Sequence, residues 1–311
     1  MKVLVTGGAG FIGSHICKRL VQEGHQVVAI DNLSNGSREN VKELEENPQF
    51  VLYVFDVNNT FKLRGVFGAH PFDMVFHLAA NADVVKGEEN PMEDVHNTLL
   101  TTINVMEMMR IFGVKKFFFA SSSTVYGNVE DRIQERCTVM RPISHYGAAK
   151  LASEAFVSSF CNLHDFQVWI ARFCNAVGPN MTHGVIPDLI RKLKKHPSRL
   201  EVYGDGTQTK PYIYIDDLLD GVMCLIGKTN DKYNAYLVGT DSNMTVEEIA
   251  KVVMEELNIN TPIEYEKEYI GWKGDVNKYR YDVTRLRMLG WTPRYTAEDA
   301  IRKAVKDNLN N

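Results

Sequence analysis

The chain has 311 residues, 44% of them hydrophobic and 24% charged, enough for a large core and two lobes. A formal net charge of −4 speaks against a broad basic face for nucleic acid, and no apolar run approaches the ~18 residues that a membrane span needs. Five cysteines without C-x-x-C spacing and nine histidines without ligand spacing point to reduced thiols in a cytoplasm and to no structural metal.

Met1-Lys2 runs directly into the apolar Val3-Leu4-Val5, so no secretory leader is expected. The first expected strand, 2–6, ends in Thr6-Gly7-Gly8-Ala9-Gly10-Phe11-Ile12-Gly13. Glycine permits a tight turn there and lets backbone N–H groups approach a pyrophosphate, which then faces a helix N-terminus. A helix is expected over 11–23, with Ile12, Ile16 and Leu20 on one face. The second strand, 26–30, runs into Asp31. A carboxylate at that place accepts the ribose hydroxyls of NAD and repels the extra phosphate of NADP. Asp56-Val57, after a third strand at 50–55, fits contact with an adenine amino group, although a lone Asp there is also an ordinary cap.

Further strands are expected at 73–77, 116–120 and 167–172, and helices at 60–68, 92–112 and 145–163. This alternation predicts an α/β fold with a doubly wound parallel sheet. After Arg172, loops rich in Gly, Pro and Asn break the rhythm. We read 1–174 as a dinucleotide-binding domain that the chain rejoins at about 212–238. Residues 175–211 and 239–311 form a smaller α/β substrate lobe, with ligand expected in the cleft between them.

Tyr146 and Lys150 stand four apart in the last of those helices and so share one face. A free phenol, with a pKa of ~10, is a poor base at neutral pH. A nearby ammonium and a positive nicotinamide ring both favour its ionised form. A second Tyr-x-x-x-Lys, Tyr269 to Lys273, has a glycine inside its turn and no serine cluster upstream, and is read as incidental. Tyr146 differs because Ser121-Ser122-Ser123 follows the strand at 116–120, where a hydroxyl meets the ligand crevice.

Together these segments resemble the extended short-chain dehydrogenase/reductase family, the NAD-dependent epimerases and dehydratases, on a Rossmann-type fold. The resembling segments are Thr6 to His15, Asp31-Asn32-Leu33, His77-Leu78-Ala79-Ala80, Ser121 to Gly127, and Tyr146-x-x-x-Lys150. Arg172-x-x-Asn175, Gly204-Asp205-Gly206, the Tyr212 to Asp217 run and Leu289-Gly290-Trp291-x-Pro293 extend the likeness over nearly the whole length. Within that family the chain is most similar to the UDP-glucose 4-epimerases. The resemblance implies Tyr146 as base, Lys150 as its electrostatic partner and Ser122 as the catalytic hydroxyl. It places NAD against Gly7, Gly10, Phe11, Ile12, Gly13, Asp31, Asn32, Asp56, Val57, Ala79, Ala80, Asn97, Tyr146 and Lys150. It places a UDP-sugar against Ser122, Thr124, Tyr146, Asn175, Tyr203, Lys210, Lys273 and Tyr279. It also implies a homodimer through the helices at 92–112 and 145–163.

The family's 4,6-dehydratases resemble Thr-Asp-Glu before Val-Tyr-Gly; here the acidic places hold Ser123 and Thr124, so elimination of water lacks its acid and base. Decarboxylating members resemble a Glu where Thr124 stands. Lys210-Pro211 replaces the family's Arg-Asp, which keeps a charge for diphosphate and loses the bidentate fork. A second family arginine falls near Trp272, where Lys273 or Arg280 takes its place. Tyr279 matches a position at which bulk is associated with excluding N-acetylated sugars, and favours UDP-glucose and UDP-galactose. The alternatives are a UDP-N-acetylhexosamine 4-epimerase, or another nucleotide-sugar dehydratase or reductase of the same family.

Overall fold

Short apolar runs buried on both faces become the strands of a central sheet. Val3, Leu4 and Val5 are each 0% exposed, as are Phe117, Phe118 and Phe119, the pattern of a sheet covered by helices on both sides. The computed structural model describes residues 1–129, 132–137, 139–266 and 276–309. Its main sheet holds β1 (Lys2–Thr6), β2 (Gln26–Asp31), β3 (Phe50–Val54), β4 (Met74–His77), β5 (Lys116–Ser122), β6 (Gln167–Phe173) and β7 (Tyr233–Val238). The spatial order is β7-β6-β5-β4-β1-β2-β3. The pairs β1–β2, β2–β3, β1–β4 and β4–β5 are parallel. Strand order reverses between β1 and β4, and a crevice opens at the carboxyl ends of such strands. Helices α1 (Phe11–Gln22), α2 (Thr60–Ala69), α3 (Thr101–Phe112) and α4 (His145–His164) connect the strands, giving the doubly wound Rossmann-type fold.

The chain divides into two compact units. The first comprises Met1–Val125, His145–Arg172 and Ile226–Tyr236; the second comprises Tyr126–Ser144, Phe173–Leu225 and the chain from Leu237 onward. The sequence reading kept 126–144 in the dinucleotide domain and returned the chain to it over 212–238. In the structure 126–144 belongs to the second unit, because Arg132–Ile133 pairs with Arg280–Tyr281, far along the chain. Residues 212–225 stay there too, since Thr209–Tyr214 pairs with Asn175–Val177 and with Asn243–Thr245.

The helix expected over 92–112 runs continuously from 91 to 112 but widens in its middle. Pro91–Asp94 forms one turn, Val95–Leu100 a wider π-helical turn, and α3 begins only at Thr101. Thr101 and Thr102 donate their hydroxyls back to the Thr98 carbonyl at 3.0 and 2.7 Å. Such back-bonding competes with the regular ladder and bends a helix.

At the end of β4 a buried polar chain crosses the core of the first unit. His77 stacks on Phe117 and Phe119. Its Nδ1 lies 2.7 Å from Thr6 Oγ1 and its Nε2 3.1 Å from Thr102 Oγ1. The single Thr102 hydroxyl proton goes to Thr98, so Nε2 carries the imidazole proton and Nδ1 accepts from Thr6. Burial, and after it the Lys150 charge, lower the His77 pKa from 6.5 to about 3. The unfolded imidazole therefore binds a proton that the folded one refuses over this window. Stability is fully present above 6.5 and falls as pH drops towards 3. His77→Gln, whose amide donates and accepts without titrating, should flatten that part of the curve of thermal midpoint against pH. A curve parallel to the wild type would exclude His77 as the source.

Candidate active site

The loop after β1 is shaped by what its glycines leave out. Gly7 has φ +70°, a conformation L side chains rarely adopt. A Cβ on Gly7 would stand 2.7 Å from the Ala79 nitrogen, and one on Gly13 only 1.9 Å from the Gly7 oxygen. The turn is tied down by Gly7 N–H to the Ile30 carbonyl at 2.8 Å and Gly10 N–H to the Gly7 carbonyl at 3.2 Å. Helix α1 starts behind Gly10 with no side-chain cap and no acidic residue in its first turn. An uncapped helix start beside a cradle without side chains suits a diphosphate, so these residues fit a dinucleotide.

Asp31 is buried at the end of β2. One carboxylate oxygen accepts Ala9 N–H at 2.9 Å and the other Leu33 N–H at 2.8 Å. It thus braces the glycine turn, and each oxygen keeps a further lone pair for a ribose hydroxyl. Asn32 Nδ2 donates to Asp56 at 3.2 Å, whose second oxygen takes Asn58 N–H at 2.7 Å. Val57 beside it is buried. Ala79 N–H reaches Thr6 Oγ1 at 3.4 Å, which brings the turn after β4 against the glycine loop, with Ala80 next to it partly exposed. Asn97 is turned towards Glu93, donating to it at 2.9 Å. Its neighbour Thr98 is buried and accepts Asn81 N–H at 3.1 Å. Thr98, which sequence reasoning passed over, therefore meets the turn after β4.

Ser122, Tyr146 and Lys150 come together where β5 ends against the start of α4. Ser122 and Tyr146 share a hydrogen bond. Thr124 donates to Ser122 Oγ from its backbone at 3.2 Å and from its hydroxyl at 3.0 Å. That leaves the Ser122 proton for Tyr146. Lys150, 3% exposed, donates to the Ala120 carbonyl at 2.7 Å, and its Nζ stands 5.9 Å from the Tyr146 ring centre. Burial pushes the Tyr146 phenol up to about 12; the Ser122 bond lowers it and Asp94 raises it further. Burial brings Lys150 down to about 8 against Glu154 and Asp94, which raise it. Lys150 and a bound nicotinamide ring together were expected to hold the phenol below its ordinary value. In the chain alone the phenol is raised instead, first because the site is desolvated and further by the Asp94 charge.

Glu154, one further turn along α4, received no role from the sequence. It accepts Ser121 Oγ–H at 2.5 Å and forms a forked pair with Arg172 of β6, at 2.6 Å for the terminal nitrogen and 2.9 Å for Nε. The spacing of four from Lys150 is the signal that could have found it.

In the second unit, Asn175 Nδ2 donates to the Pro211 carbonyl and to the Tyr279 hydroxyl, both at 3.2 Å. Asn175, Lys210-Pro211 and Tyr279 are therefore one cluster, and Lys210 pairs with Met244 in the strand register. Tyr279 is 4% exposed. The Tyr203 ring is half exposed, with Lys192 Nζ 3.9 Å from its centre. Arg280 is exposed, and Lys273 lies outside the described residues.

Comparison with known proteins places this geometry. The model of the NAD dependent epimerase/dehydratase family matches residues 3–239. The chain belongs to this family. It is an enzyme of the epimerase class with NAD as its cofactor. It is 30% identical to a putative UDP-glucose 4-epimerase of Methanocaldococcus jannaschii over 99% of both chains. It is 31% identical to UDP-glucuronic acid decarboxylase 4 of Arabidopsis thaliana over 99% of this chain and 68% of the relative. A crystal structure of UDP-galactose 4-epimerase superposes with a TM-score of 0.90 at 36% identity, covering 100% of this chain and 99% of the other.

Proposed function

We propose that this enzyme is a 4-epimerase of a UDP-hexose, interconverting UDP-glucose and UDP-galactose. The observation that carries the reading is the hydroxyl relay from Thr124 through Ser122 to Tyr146. Elimination or decarboxylation would call for a carboxylate in the positions that Ser123 and Thr124 occupy.

Gly7, Gly10, Phe11, Ile12 and Gly13 would hold the diphosphate of NAD, Asp31 and Asn32 its ribose, and Asp56 and Val57 its adenine. Ala79, Ala80 and Asn97 would flank the rest, with Thr98 in support. The chemistry supplied by NAD, when bound, is reversible acceptance of hydride by a cationic ring. Tyr146, with the phenol kept neutral by burial in the chain alone, needs that added positive charge to act as base. It then takes the proton of the sugar 4-hydroxyl while Ser122 holds the same oxygen. Lys150 steadies the phenolate. Once the keto sugar has turned about its diphosphate link, Tyr146 returns the proton. The nucleotide stays anchored throughout by Asn175, Tyr203, Lys210 and Lys273. Thr124 borders the sugar, and the fixed bulk of Tyr279 disfavours an N-acetyl group.

Among the described residues no helix is long and apolar enough to cross a membrane, and the five cysteines are free thiols. A cytoplasmic setting accords with both. Leu100, Ile111, Phe156 and Leu163 are exposed apolar residues on or beside α3 and α4. Burying them between two copies would form a homodimer. The decisive experiment incubates purified protein with UDP-galactose, UDP-N-acetylgalactosamine and UDP-glucuronate, adding no NAD. Interconversion of UDP-galactose and UDP-glucose is expected, faster than that of the N-acetylated pair. Release of water or CO₂ would overturn the assignment. Sedimentation of the same preparation tests the dimer, which a monomeric mass would exclude.

A further inference from the structure

We propose that Glu154 is a positioning residue for the Ser122–Tyr146–Lys150 set, acting as the third of three contacts by which α4 grips the end of β5. The inference rests on the reading of Tyr146 as base. Three residues at one-turn spacing on α4 meet three consecutive residues of β5. Tyr146 bonds Ser122, Lys150 bonds the Ala120 carbonyl at 2.7 Å, and Glu154 takes Ser121 Oγ–H at 2.5 Å. Two of these contacts belong to the assigned chemistry. The third comes from a carboxylate that touches neither Tyr146 nor Ser122 in any recorded hydrogen bond.

Glu154 is itself immobilised. Arg172 Nε lies 2.9 and 3.2 Å from its two oxygens, and the terminal nitrogen of Arg172 lies 2.6 Å from the second. Both side chains are 4% exposed. Removing two such charges from water is costly, and an apolar pair of similar volume is often as stable or more so. Stability alone therefore gives little reason for an ion pair here, whereas registry does. The forked geometry fixes where α4 stands along β5 and β6, and so whether Tyr146 reaches Ser122. The same carboxylate helps keep Lys150 charged against burial, together with Asp94, which also acts on Tyr146. His77, the other titratable group near Lys150, is held neutral by its own burial.

The test compares Ser121→Ala, and the double variant Glu154→Leu with Arg172→Met, to the wild type. The double variant removes both charges of the ion pair together and leaves Asp94 as the carboxylate acting on Lys150. Four quantities are read: thermal midpoint, KM, kcat, and the pH titration of the Tyr146 ring signal in tyrosine-labelled protein without substrate, assigned through Tyr146→Phe. The double variant should melt near the wild type and keep its KM. Its kcat should fall roughly 10²-fold, the cost of about 1 Å of misplacement, and its Tyr146 titration should move. Ser121→Ala, which spares the ion pair, should lose about tenfold or less in kcat. A folded double variant with kcat and Tyr146 titration both unchanged overturns the proposal. Should the double variant not fold, Ser121→Ala decides: an unchanged kcat overturns the proposal and a lowered kcat at constant KM supports it. If the wild type fails to interconvert UDP-galactose and UDP-glucose, the proposed function fails instead, and the substrate-free titration still judges Glu154.

Discussion

Tyr146→Phe is expected to lower kcat by roughly 10²–10⁴-fold, the range for loss of a general acid–base group. The fold should be untouched. The hydroxyl bonds Ser122, which is only partly buried, so the Ser122 proton it frees can turn to water. KM for the UDP-sugar and retention of the dinucleotide should change far less than kcat, because Tyr146 is one of many residues assigned to holding each ligand. The pH profile adds a second condition. The chain's own groups hold the phenol up to about 12, yet a base must ionise near the working pH to be effective. The acid limb of kcat in the loaded enzyme must therefore lie well below that value. Turnover of Tyr146→Phe at near the wild-type rate, in a preparation free of wild-type protein, would remove Tyr146 from the role of base.

The second large effect is expected at Gly13. An alanine there would put its Cβ 1.9 Å from the Gly7 oxygen and 2.8 Å from the Gly7 carbonyl carbon. Both atoms are backbone, and Gly7 is itself fixed by its bond to Ile30 at 2.8 Å, so nothing flexible can yield. Overpacking of this kind costs about 1–3 kcal/mol. The sheet core does not depend on the loop, and the variant should still fold. The larger consequence is functional: a displaced loop no longer cradles a diphosphate, and the protein should purify without its dinucleotide. The ratio of absorbance at 260 and 280 nm, before and after acid precipitation, reads this directly. A Gly13→Ala protein that carries the wild-type complement of NAD would show that the glycine turn is not the diphosphate site.

Much of the first unit was legible because its signals are local. Val3-Leu4-Val5 and Phe117 to Phe119 are unbroken apolar runs that can only be inner strands. The glycine triplet and the Tyr146–Lys150 spacing each lie within a few turns of chain. What escaped was set by partners far away. Arg132–Ile133 leaves its expected domain because it pairs with Arg280–Tyr281. Glu154 has a local signal in its spacing of four from Lys150, but its partners Ser121 and Arg172 lie elsewhere in the chain. The π-helical turn before Thr101 was a local signal of a subtler kind: two adjacent threonines returning their hydroxyls to one carbonyl. Thr98, in the wider turn, accepts Asn81 N–H, while Asn97 donates to Glu93. The sequence shows an ammonium four residues from Tyr146 but not the burial that pushes the phenol up in the chain alone.

The first unit is assembled from three stretches of chain, the last being Ile226–Tyr236. During synthesis, the large sheet receives its edge strand β7 only once Tyr233 and its successors have left the ribosome. Until then Gln167–Phe173 is an open rim of unpaired amides and carbonyls, the kind of edge that recruits strands from neighbouring molecules. A nascent chain paused after Leu225, or a product truncated there, would carry the whole nucleotide loop and the Tyr146–Lys150 pair while still being prone to aggregate through that rim.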